Sequence, residues 1–106
     1  MDFYSKDTKS ALEAKGLAQW IAFGPVVFQV ARVLRNSGIL SALLECRSEG
    51  LTLGDIRDQV KLPHYGVRIL LESGLGIGLV FIKNDKYYIT KTGFFVCNDP
   101  LTKVNM

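Results

Sequence analysis

Residues 51–97 read LTLGDIRDQVKLPHYGVRILLESGLGIGLVFIKNDKYYITKTGFFVC, and the order of signals in this stretch decides the fold. Thr52 followed three residues on by Asp55 has the spacing of a capping box with the shorter acid. It opens a helix whose apolar side is Leu53, Ile56 and Val60, with Asp55, Arg57, Asp58 and Gln59 facing water. Lys61-Leu62 is a tight link into Pro63, and the next helix turns Val67, Leu70 and Leu71 inward while His64, Arg68 and Glu72 share its other face. Two short helices joined this closely make a helix-turn-helix. Leu79 to Lys83 and Tyr87 to Ile89 are rich in β-branched and aromatic residues and flank the turn cluster Asn84-Asp85-Lys86, the pattern of a hairpin. Thr90 is placed to cap a last helical turn carrying Phe94, Phe95 and Val96.

Upstream, Ser5 to about Phe23 has the helical spacing Ala14, Leu17, Ala18, Ile21, with Trp20 and Phe23 widening the apolar face. Gly24-Pro25 predicts a break and a restart, since proline has no amide proton but suits a first helical turn. The restarted helix, Val26 to Leu34, leaves only Gln29, Arg32 and Arg35 as a polar stripe. Asn36-Ser37-Gly38 stops it, and Ile39, Leu40, Leu43 and Cys46 form a short third helix ending near Gly50. The predicted class is mostly α with a small β-hairpin: a winged helix (helix-turn-helix plus wing) preceded by two dimerisation helices. Its parts are residues 1–37 for the leading helices, 38–98 for the winged helix and 99–106 for the start of a linker.

Length and charge bound the function. At 106 residues the chain has room for one modest core. The net charge of +3 is spread evenly, six basic against five acidic residues over 1–53 and seven against five over 54–106, so no basic tail points to nucleic acid. Nearly half the residues, 48%, are hydrophobic, more than so small a core can use, which predicts that some apolar surface meets another protein. The charge-free window Gly16 to Ala31 is shorter than the roughly 20 apolar residues of a membrane span and holds Gly24-Pro25, so no transmembrane segment is expected. The N-terminus has no signal-peptide pattern, and a cytoplasmic setting is the expectation. Cys46 and Cys97, far apart and outside any CxxC, read as reduced, packed thiols.

Chemistry-bearing motifs are few. Gly74, Gly76 and Gly78 after an apolar run and Glu72 imitate a cofactor loop, but such a loop needs a strand before it and a helix after it. Here the order is reversed, and the glycines read as the end of one helix and the turn into the first wing strand. His64 is the one histidine, and no nucleophile elbow, HExxH or carboxylate pair is present, so no catalytic, cofactor-binding or metal-binding residues are assigned. Leu17, Trp20, Ile21, Phe23, Val27 and Phe28 are the candidate pairing residues of a homodimer. An aspartate at Phe28 is expected to break that pair. The alternative is a winged-helix transcription regulator reading DNA through His64, Arg68, Lys83 and Lys86. Its face is nearly neutral, because Arg68 is offset by Glu72 and the two lysines flank Asp85, so nucleic acid is the less expected partner.

Gly38-Ile39-Leu40, Leu51-Thr52-Leu53-Gly54-Asp55-Ile56, Val67-Arg68-Ile69-Leu70-Leu71 and above all Tyr87-x-x-Thr90-x-x-Gly93 resemble the N-terminal dimerisation domain of small-molecule S-adenosylmethionine-dependent O-methyltransferases. The resemblance implies a domain that pairs its helices with a second subunit and helps wall a small-molecule pocket. It also implies a following Rossmann-like domain, absent from this chain, that binds S-adenosylmethionine and transfers the methyl group. The chain itself would then hold no cofactor and not be catalytic, and it would be a fragment or truncated product of a methyltransferase.

Overall fold

The computed structural model describes residues 6–100. Their elements in chain order are α1 (Ala11–Asn36), α2 (Ile39–Glu45), α3 (Leu53–Val60), α4 (His64–Ile77), β1 (Val80–Lys83), β2 (Lys86–Ile89) and α5 (Lys91–Asn98). The molecule is mostly helical, with one two-stranded antiparallel hairpin as a small wing after the helix-turn-helix.

Helix α1 corrects the sequence expectation twice. It begins at Ala11, where the Ser10 hydroxyl accepts a hydrogen bond from the Glu13 amide at 3.1 Å. Ser5 itself lies outside the described residues. More important, Gly24-Pro25 does not divide it: α1 runs unbroken for 26 residues with Pro25 inside. Proline in a helix interior costs about 3 kcal/mol relative to alanine, yet its fixed φ is itself helical. Here the ring lies on the outward side, one and two turns before Gln29 and Arg32, and the preceding turn at Ile21 is 67% exposed, so the carbonyl that loses its amide partner lies at a wet surface. As a result, α1 is long and apolar enough to cross a membrane by length and composition, with mean hydropathy 1.4 over its best window.

The core gathers one stripe from each element. Leu34, Ile39, Leu40, Leu43, Ile56, Val67 and Leu71 are fully buried, and Leu79, Val80, Tyr87 and Ile89 close it from the wing side. The capping box is as read: the Asp55 amide donates to Thr52 Oγ1 and the Thr52 amide to Asp55 Oδ2, each at 3.2 Å. In the hairpin, Val80 pairs with Ile89 and Lys83 with Lys86. Asn84 and Asp85 both have positive φ (52° and 63°), as a two-residue loop of the primed type demands. Leu51 adds a bridge on the far side of β2, exchanging two backbone hydrogen bonds with Tyr87.

The glycine run is read only in part by the sequence. Gly78 ends α4 in the left-handed conformation, φ 82°. Gly74 and Gly76 remain helical, and Gly74 lets α4 close on Leu34 and Val80, each 3.2 Å from where a Cβ would stand. The Tyr-x-x-Thr-x-x-Gly motif is a folding device. Tyr87 is buried beside Leu51, and Thr90 Oγ1 accepts from the Gly93 amide at 3.0 Å while donating to the Gly78 carbonyl at 2.7 Å. A Cβ at Gly93 would strike the Leu79 carbonyl and Ile89.

The described chain measures 52 × 28 × 24 Å, with a radius of gyration of 16.3 Å against about 13 Å for a compact domain of this length. The excess comes from α1, whose first half projects beyond the body.

Candidate self-association surface

One stripe of α1 has two fates. From Val27 through Ala31 to Leu34 it faces α4 and sinks into the core, Leu34 completely. Followed toward the N-terminus at the same helical spacing, it becomes Phe23, Trp20, Gly16 and Leu12, and here nothing among the described residues covers it. Every residue from 11 to 23 is exposed. Trp20 is 56% exposed, Phe23 61% and Leu12 81%, values expected of charged residues and not of large apolar ones.

Of the six residues predicted for pairing, Trp20, Phe23 and Val27 come together with Gly16 and Gln19 around an open groove of about 450 Å³. Leu17, Ile21 and Phe28 form a second, parallel ridge beside it, all three exposed. Val27 and Phe28 stand where covered and bare halves meet, Val27 half-buried and Phe28 38% exposed. Sequence reasoning missed Leu12, while Val26, 60% exposed, stands outside the six although it belongs to the same apolar run. The signal for Leu12 was present: it precedes Gly16 by four residues and so continues the stripe.

The residues of the DNA alternative occupy two separate places. His64 opens α4, with Nδ1 3.3 Å from Arg57 Nη1. Arg68 lies 3.7 Å from Glu72 and 5.8 Å over the Tyr65 ring. Lys83 and Lys86 face each other across the hairpin loop. Among the described residues no hydrogen bond or ion pair joins the helix pair to the hairpin pair. Beside Arg68, α4 also presents Tyr65 at 69% and Ile69 at 39% exposure, an apolar rather than cationic surface.

Among solved structures, the chain is similar in fold to the S-adenosylmethionine-dependent methyltransferase SibL in its apo form. The TM-score is 0.67 and the identity 23%, over 81% of this chain and 25% of that one. The chain therefore spans about a quarter of the length of the protein it matches. No curated protein matches the sequence significantly. The sequence profile of the Dimerisation2-like domain matches residues 15–87, from the projecting half of α1 through the hairpin to Tyr87. That match spans well over half of the chain, and the chain belongs to the Dimerisation2-like domain family.

Proposed function

We propose that this chain is the self-association module of an S-adenosylmethionine-dependent methyltransferase and pairs with a second copy through the bare stripe of α1. One observation carries the reading: the stripe that buries Leu34 in the core continues uncovered through Phe23, Trp20 and Leu12. The domain family and the fold likeness to SibL support it. A two-fold arrangement lets the same surface cover itself on both copies.

A second copy fits this stripe better than a lipid bilayer does. The C-terminal half of α1 is held in the body by Ala31 and Leu34, leaving the bare residues 11–23, roughly 20 Å of helix at 1.5 Å per residue. A hydrocarbon core is about 30 Å thick. A cytoplasmic setting goes with this reading, the two cysteines Cys46 and Cys97 being far apart in sequence and outside any CxxC.

Methyl-transfer chemistry is assigned to the rest of the parent protein. There a Rossmann-like domain would bind S-adenosylmethionine, which supplies the methyl group; the glycine run 74–78 does not fit a cradle for it, since Gly74 and Gly76 lie within α4 and Gly74 is closed by Leu34 and Val80. Walling a small-molecule pocket is a second proposed role of the module, resting on the resemblance of its sequence motifs alone. DNA reading is the weaker alternative, because Arg68 already lies beside Glu72.

Sedimentation equilibrium of the chain at micromolar concentration tests the reading: a two-copy particle is expected, and a single copy at every concentration overturns it. Phe23→Asp is a cleaner disruption than Phe28→Asp, because Phe23 is the more exposed of the two and its loss leaves the core intact.

A further inference from the structure

We infer that residues 11–23 hold their helix only when a second copy covers them, so that arm folding and pairing are a single coupled event. The inference rests on the self-association reading and adds a condition to it. All the residues concerned are exposed, so nothing among the described residues stabilises their helix by burial. A helix of this length is at or below the limit at which even alanine-rich peptides hold together in water.

Propagation from the covered half cannot supply what is missing. The two least favourable helix residues, Gly24 and Pro25, stand side by side where exposure gives way to burial. Pro25 offers no amide to the Ile21 carbonyl, and its ring crowds the preceding turn. The arm must therefore nucleate largely by itself, and Gly16, with no neighbour within 4 Å of its Cβ position, weakens it again. The Ser10 cap, Glu13 in the first turn and the alanines at 11, 14, 18 and 22 favour the helix without being able to hold it alone. An arm balanced in this way gains order from apolar contact with its twin.

The test follows amide hydrogen exchange, sedimentation and the emission of Trp20, the single tryptophan, in the same samples from dilute to concentrated. In the dilute single chain, amides of residues 11–23 should exchange freely while those of Ile56, Val67 and Leu71 stay protected; on pairing, the arm should gain protection and Trp20 emission should shift to the blue. The double variant Gly24→Ala, Pro25→Ala has room for its new methyl at position 24. It should protect the arm in the single chain and tighten pairing by about tenfold or more through preorganisation. An arm already protected in the dilute single chain overturns the coupling and leaves pairing intact. A double variant with an unprotected arm overturns the part assigned to Gly24 and Pro25. A chain that stays single at every concentration overturns the self-association reading and the coupling with it.

Discussion

Trp20 and Leu34 occupy the same stripe of the same helix, about four turns apart, yet Leu34 is fully buried and Trp20 is 56% exposed. The residue chemistry does not separate them, since both halves of α1 are rich in large apolar side chains at helical spacing. What differs is the opposite side. Leu34 meets α4 at Gly74, and among the described residues Trp20 meets only its own helix. An apolar face in a sequence thus specifies that something must cover it, and the geometry of the body decides how much is left for a second molecule.

The largest effect should come from placing a charge on the bare half. Phe23→Asp is expected to weaken pairing by about 3 to 5 kcal/mol, the scale for an unpaired buried charge, and so by more than about a hundredfold in affinity. Sedimentation reads that loss, and the unfolding midpoint of the single chain should not move. Leu34→Ala should do the opposite: a loss of about 2 to 5 kcal/mol in folding stability from the cavity it leaves, read by denaturant unfolding, with pairing kept wherever the chain is folded. If the two variants moved the same observable, the division of α1 into covered and bare halves would fail.

A smaller effect sharpens the local side of the comparison. Thr52→Ala removes the hydroxyl that accepts from the Asp55 amide, while the backbone amide at position 52 can still donate to Asp55 Oδ2, at a cost of about 1 kcal/mol in thermal or denaturant unfolding and none in pairing.

How much of this was legible follows from the range of each interaction. The capping box at Thr52 and Asp55, the cap at Thr90 and the hairpin between β1 and β2 rest on partners close in sequence, and the sequence carries them openly. Pro25 was misread because a proline breaks or spares a helix according to what it faces, and that is set by α4 on the other side of α1. Gly74 and Gly76 were read as a helix end for a similar reason. The fit of Gly74 is decided by Leu34, forty positions earlier, and by Val80. Leu51 as a backbone partner of Tyr87 and Gly50 beneath the Tyr88 ring, with φ 71°, are long-range pairings of which no local pattern gives warning. For the pairing surface, periodicity marked the stripe, but only the packed body shows that it is covered from Ala31 onward and bare before Gly24.

The smallest effect is a pH dependence confined to the body. Tyr87 has its phenol pushed above the usual 10.0, first by burial and then by the carboxylates of Glu72 and Asp85. The folded chain therefore holds this proton more tightly than the unfolded chain. The resulting stability is fully present below pH 10 and is lost as pH rises through the unfolded value toward the higher folded one. The stability of the wild type should accordingly decline in this alkaline window more steeply than that of Tyr87→Phe, which has no proton to lose at this position. The difference between the two curves should not depend on protein concentration, because Tyr87 packs in the core and Leu12, Trp20 and Phe23 of the bare stripe carry no group that titrates. A concentration-dependent difference would link the wing to the pairing surface and remove the separation between the two regions.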